Sequence, residues 1–276
     1  MNILVFGKDG QLGKAFQNLF QKAPLASEGS IQFIGRNQCD LSNATALSDL
    51  LNASKPDLII NAAAYTAVDK AETEYELAIA INAKAPEMMA QYAVKHGSTL
   101  LHYSTDYVFD GSKDGPYIES DLRKPINIYG KSKAAGEEAI EKVFANCASD
   151  QYAIFRTSWV YGDGANFIRT ILRLAKEREE LKVICDQYGL PTNTDWLAQV
   201  SLDLVLDSQD GLRKFTSGIY HAVPSEKTSW YELAIVATQA ALNANIPLKL
   251  KPVDIQSILA AQYLSLIHIS EPTRPY

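Results

Sequence analysis

Along the first half of the chain, short apolar runs alternate with longer stretches in which apolar residues recur every three or four positions. Residues 3–6, 31–34, 58–61, 99–103 and 152–155 are largely apolar, the pattern of strands covered on both faces. Between them, residues 11–22, 44–53, 74–96 and 127–144 carry the helical period. Regular alternation of this kind predicts an α/β fold, a doubly wound parallel sheet of the Rossmann kind, over residues 1–163. Ligands of such sheets bind outside the carboxyl ends of the strands, so the residues just after each strand carry the functional weight.

Beyond residue 163 the rhythm changes. Residues 167–180, 195–206 and 230–242 read as helices, 181–184 and 218–223 as strands, and 255–264 as an interrupted helical segment. Residues 164–264 are expected to form a smaller substrate-binding lobe, with the 218–223 strand returning to the main sheet. Residues 265–276 hold no sustained period and are expected to be a non-native tail.

Directly after the first strand stands Gly7-Lys8-Asp9-Gly10-Gln11-Leu12-Gly13, opening a helix. Glycines let a backbone turn sharply and approach a pyrophosphate, and a helix N-terminus stabilises its charge. After the second strand an acidic residue would bond the ribose 2′-hydroxyl of NADH, whereas this chain has Gly35-Arg36. A guanidinium suits the 2′-phosphate of NADPH, which is therefore favoured, with NADH left open. Asp40-Leu41 and the small residues of Asn61-Ala62-Ala63-Ala64-Tyr65-Thr66 are placed to line the cofactor path.

Tyr129 and Lys133 are four residues apart on a helix and share a face. A free phenol, with a pKa of about 10, is poorly matched to proton transfer at neutral pH, and a neighbouring ammonium is expected to lower it. Ser104 and Thr105 end the fourth strand, where a carbonyl would meet a nicotinamide. In this reading Thr105 orients the carbonyl, Tyr129 protonates its oxygen, and Lys133 binds ribose and tunes the phenol. No G-x-S-x-G elbow supports a hydrolase.

Together these residues resemble the extended short-chain dehydrogenase/reductase superfamily and, within it, the dTDP-4-dehydrorhamnose reductase family. The resemblance spans roughly residues 1–260. It is carried by Gly7–Gly13, by residues 61–72, by Ser104-Thr105-Asp106-Tyr107-Val108-Phe109, by Tyr129–Lys133, and by Arg156-Thr157-Ser158-Trp159-Val160-Tyr161. It implies NADPH-dependent reduction of the C4 ketone of a dTDP-linked 6-deoxyhexulose, with Tyr129 as acid. Cofactor contacts are implied for Gly10, Gln11, Leu12, Asp40, Leu41, Ala64, Tyr65, Thr66, Tyr129 and Lys133, beside Gly7, Gly13 and Arg36 from the residues themselves. Sugar-nucleotide contacts are implied for Thr105, Asp106 and Trp159.

Related dehydratases usually carry an acid directly after the Thr-Asp pair, where this chain has Tyr107, which disfavours elimination of water. Family members normally continue with an Arg-Pro-containing stretch, and Arg274-Pro275 in the odd tail is not taken for that element. Some members form magnesium-bridged dimers through an acidic residue early in the first helix. Lys14-Ala15 stands there, so no metal ligand is assigned and a monomer or weak homodimer is expected. The rival readings are a sugar-nucleotide epimerase, a sister reductase, and a non-catalytic regulatory subunit like the β subunit of methionine adenosyltransferase. Intact Tyr129, Lys133 and Thr105 weigh against the last.

Composition narrows the partners. Lys+Arg 26 against Asp+Glu 32 gives a net charge of −6 with no basic run, a poor match to nucleic acid or an anionic membrane. No apolar stretch approaches the ~18–20 residues of a membrane helix. Cys39, Cys147 and Cys185 have no metal-ligand spacing, and the four histidines form no cluster. A cytoplasmic enzyme with reduced thiols is the expectation.

Overall fold

The computed structural model describes residues 1–22, 29–145, 147, 151–209 and 211–262. The chain opens with β1 (Asn2–Phe6), α1 (Gln11–Lys22), β2 (Ser30–Ile34), α2 (Ala44–Ser54) and β3 (Leu58–Asn61). The short helices α3 (Val68–Ala71) and α4 (Tyr75–Ile79) lead through a π-helical turn, Ala80–Lys84, into α5 (Ala85–His96). Next come β4 (Thr99–Thr105), α6 (Ile128–Phe144), β5 (Tyr152–Thr157), β6 (Val160–Tyr161), α7 (Phe167–Glu177), β7 (Leu181–Ile184), β8 (Tyr188–Gly189) and β9 (Thr192–Asn193). The remainder holds α8 (Thr194–Val205), β10 (Gly218–His221), β11 (Thr228–Ser229), α9 (Trp230–Asn243) and β12 (Ile255–Ile258).

Six strands form one parallel sheet in the order β10-β5-β4-β3-β1-β2. Strand order reverses at β1, whose neighbours are β2 and β3, so a crevice opens at the carboxyl ends of β1 and β3. Alternate residues of the buried strands supply two apolar layers. Ile3, Val5, Ile60, Leu101 and Tyr103 pack with Leu12 and Phe16 of α1 and Leu197 and Leu202 of α8. Leu4, Phe6, Ile59 and Leu100 pack on the other face with Leu47 of α2, Met89 of α5 and Ile140 of α6.

The chain divides into two compact units, though not at residue 163. One is Met1–Thr157 with Thr194–Ala222, and the other is Ser158–Asn193 with the chain from Val223 onward. The return of α8 to the first unit follows from Leu197, Ala198 and Leu202, which complete the apolar layer over α1. β10 pairs in parallel with β5, which places the expected strand in the main sheet.

Within the second unit α7, α9, β7 and β12 enclose Ile171, Ala175, Leu181, Val183, Ala234 and Ile255. The helical expectation for residues 255–264 is corrected over Ile255–Ile258, which form a strand parallel to β7, whereas residues 260–262 are helical. Ile255 and Ile258, three apart, mimic a helical period, yet Ile255 is the deeply buried residue of this strand. The expected tail, residues 265–276, lies outside the described residues. Among the described residues, no helix is long and apolar enough to cross a membrane.

Residues 75–96 are helical without a break, in line with the period of residues 74–96, but not α-helical throughout. The π-helical turn stands between α4 and α5, and it carries the buried Asn82. Such turns recur at functional sites because one widened turn re-aims the side chains before it.

Candidate active site

At the end of β1 the backbone swings away through Gly7, whose φ of +85° strongly favours glycine. A Cβ on Gly7 would stand 2.7 Å from the Ala62 carbonyl, and one on Gly13 would stand 2.0 Å from the Gly7 carbonyl. The first glycine thus makes the turn, and the third lets α1 close against it. The first turn of α1 carries no acidic side chain to offset its N-terminal field. Of the residues assigned there, Leu12 turns its side chain into the core, which leaves its backbone for a ligand, while Gln11 stays partly exposed.

The β2 end is more occupied than expected. Arg36, 72% exposed, pairs with Asp40 at 3.3 Å. Asp40 also accepts from the backbone N–H of Ser42 at 2.9 Å and from its hydroxyl at 2.7 Å. Those two bonds, followed by Arg36, hold its carboxyl below the usual range. Leu41 is buried in the core. A second cation also stands here, since Lys8 Nζ donates to Gln38 Oε1 at 2.5 Å and the same oxygen accepts from Gly35 N–H at 3.0 Å. Its place inside the glycine string was the available signal.

Beyond β3, Ala64 and Thr66 are exposed, and the backbone of Tyr65 is clamped by Asn82. Tyr65 N–H donates to Asn82 Oδ1 at 2.9 Å, and Asn82 Nδ2 donates to the Tyr65 carbonyl at 3.0 Å and to Ser132 Oγ at 2.9 Å. In the sequence Asn82 is marked by little more than an amide directly following the apolar residues 77–81. The Tyr65 hydroxyl donates to Glu74 at 2.7 Å, and desolvation together with that carboxylate pushes it up to about 12.

The fourth strand runs two residues further than the apolar pattern, ending on Ser104 and Thr105. Asn127 caps α6 by accepting from Gly130 N–H at 2.7 Å, which fixes the first turn and Tyr129 within it. Thr105 Oγ1 donates to Asp106 Oδ1 at 2.9 Å and accepts from Tyr107 N–H at 3.2 Å. Tyr107 meets the Tyr129 ring edge-on, with centroids 5.6 Å apart. Desolvation pushes the Tyr129 phenol well above its ordinary value, the nearby Thr105 hydroxyl opposes this, and Asp106 and Tyr107 add to it.

Lys133 is 1% exposed, and its Nζ donates to the Tyr103 carbonyl at 2.5 Å and lies 3.2 Å from His102 Nε2. Desolvation lowers its pKa to about 8, against the opposing pull of Glu137. The expected lowering of the phenol by this ammonium is therefore not what the structure holds: Lys133 spends its bonds on β4, and desolvation dominates Tyr129.

Next to this pair lies a buried ion network. Glu137, 0% exposed, accepts from Arg156 Nη2 at 2.7 Å and from Arg123 Nε at 2.6 Å. Arg123 also reaches Glu141 at 2.5 Å. Trp159 belongs to the second unit. It stacks on Trp230 with centroids 3.3 Å apart, and its indole closes on Gly189, where a Cβ would stand 2.1 Å from Cε2. One indole face is thus already covered by Trp230. Among the described residues, no group of three or more His, Cys, Asp or Glu could hold a metal ion.

The family described as the RmlD substrate binding domain matches residues 1–262. The dTDP-4-dehydrorhamnose reductase of Escherichia coli K12 is 45% identical over 255 residues, covering 91% of this chain and 81% of that protein. Among solved structures, a dTDP-4-dehydrorhamnose reductase of Clostridium acetobutylicum superposes with a TM-score of 0.82 at 34% identity, covering 95% of this chain and 85% of the other. A Bacillus anthracis dTDP-4-dehydrorhamnose reductase, solved in complex with NADP, gives 0.79 at 33% identity over 95% and 86%. The chain is an NAD(P)H-dependent oxidoreductase built on the extended short-chain dehydrogenase/reductase fold. Within that class, it belongs to the dTDP-4-dehydrorhamnose reductase family.

Proposed function

We propose that this protein reduces the C4 ketone of dTDP-4-dehydro-6-deoxy-L-mannose to give dTDP-L-rhamnose, with NADPH as the preferred cofactor. The observation that carries the reading is the convergence of Thr105, at the carboxyl end of β4, with Tyr129 in the first turn of α6 and Lys133 one turn further, its Nζ bonded to the Tyr103 carbonyl. The glycine turn supports a dinucleotide there, because the backbone packs closely at Gly7 and Gly13 and the first turn of α1 carries no acidic side chain. Gly7–Gly13 would hold the pyrophosphate and Arg36 the 2′-phosphate, once it exchanges Asp40 for that ligand. When bound, the cofactor supplies the hydride.

The remaining work falls to side chains of this chain. Thr105 and Tyr129 orient the ketone oxygen by hydrogen bonds. Tyr129 holds the proton that the developing alkoxide takes, and its raised pKa keeps it protonated until then. Lys133 stands one helical turn further along to bind the ribose.

The test is to incubate the protein with the 4-keto sugar nucleotide, follow loss of NADPH absorbance and identify the sugar formed. Tyr129→Phe should keep cofactor binding and lose about 10²–10⁴-fold in turnover. Turnover equal to the parent's would remove Tyr129 from its role.

A further inference from the structure

His102 is 1% exposed near the end of β4, and no step above uses it. The β3–β4 register sets Asn61 opposite His102, so the two side chains stand on one face of the sheet. The Asn61 amide lies 3.0 Å from His102 Nδ1, and Lys133 Nζ lies 3.2 Å from Nε2. A neutral imidazole offers one donor and one acceptor, whereas an ammonium offers donors only. Nε2 must therefore accept from Lys133, and the ring proton sits on Nδ1, facing Asn61. With the amide turned to present Oδ1 to that proton, an oxygen otherwise without a partner gains one.

Burial, followed by the adjacent ammonium, holds His102 well below its ordinary pKa, so it stays neutral and accepting. The other groups facing Lys133 are the Tyr103 carbonyl from β4, and Tyr129 and Glu137 one turn before and after it on α6. Arg156 of β5 reaches this face through its pair with Glu137.

We propose that His102 is a positioning residue for Lys133: backed by Asn61, its Nε2 holds the amine at the end of β4 and sets the pH at which the amine loses its proton. The inference rests on the reading of Lys133 as part of the reductase site.

The experiment is a pH titration of the Lys133 side chain by NMR in the ¹³C-lysine-labelled full chain, with the resonance assigned by its loss in Lys133→Met. Three variants are compared with the parent. His102→Leu removes the acceptor, His102→Asn keeps a polar group toward Asn61 but is too short to reach Lys133, and His102→Gln restores the reach. The parent amine should titrate at about 8. Loss of a hydrogen bond to a charged group should lower this by about one pH unit or more in the Leu and Asn variants. The Gln variant should return close to the parent.

In turnover, the alkaline limb of kcat/KM should move by the same amount in the Leu and Asn variants. Titration of the Leu and Asn variants at the parent's pH overturns the proposal, as does a Gln variant displaced as far as Asn. Should the Leu variant fail to fold, the Asn and Gln pair, both polar, decides. If the parent does not reduce the sugar nucleotide, the proposed function fails while the lysine titration still decides this inference.

Discussion

Glu137→Gln keeps the size of a buried side chain and removes its charge. Arg123 retains Glu141 at 2.5 Å and loses little. Arg156 is in a different position: 3% exposed, it loses the buried carboxylate it pairs with and is left with a neutral amide oxygen, the Glu119 carbonyl at 3.3 Å, the face of Phe109 and the more distant Glu119 carboxylate. Leaving one member of a buried pair without its counter-charge costs about 3–5 kcal/mol, roughly 6–20 °C in Tm for a unit of this size. Urea unfolding at neutral pH reads this directly.

The double variant Glu137→Leu/Arg156→Met removes both charges and should recover most of the loss, because buried pairs exchange for apolar ones at little cost. The pH dependence carries a sign. Hydrogen bonding and charge from Arg156 hold the Glu137 carboxyl below its ordinary value despite opposing desolvation. Its contribution is therefore full above the unfolded value, about 4.3, and is lost as the pH falls through the folded one. The Gln variant should lack that part of the acid slope. A loss below about 1 kcal/mol, or a double variant as unstable as the single, refutes the reasoning.

Arg36→Ala should raise the KM for NADPH about tenfold and leave that for NADH nearly unchanged, as steady-state rates with each cofactor would show. Gly13→Ala drives a methyl into the Gly7 carbonyl, so cofactor affinity by fluorescence titration should fall and stability drop by roughly 1–3 kcal/mol. Gly189→Ala places a methyl 2.1 Å from the Trp159 ring and should abolish the near-UV circular dichroism of the stacked tryptophans.

The sheet was legible because strands buried on both faces read as unbroken apolar runs, α1 because a glycine string opens it, and α6 because of its helical period. Tyr129 and Lys133 were legible as a pair from their spacing taken together with the hydroxyls of Ser104 and Thr105 at the end of the fourth strand. What their side chains do was not, because the partners of Lys133 depend on where β4 ends and on the register that brings His102 beside Asn61. Arg36 read as a free phosphate ligand because an i,i+4 acid outside a helix carries no sequence signal of pairing. The return of α8 to the first unit rests on packing against α1, contacts that local periodicity does not contain. β12 read as helical because two isoleucines fell three apart.

The widened turn at Ala80–Lys84 holds one more residue than an ordinary helical coil would use there. Deleting any one of its five residues would close the coil to an ordinary α-turn and change the direction in which the side chains of that turn point. Asn82 would then swing off the Tyr65 backbone and off Ser132, releasing the loop beside β3 and the base of α6 together. Length in this segment is accordingly as constrained as residue identity. Descendants of this chain can exchange Ala80 or Lys84 freely, but a gain or loss of a single codon between them would dismantle the site.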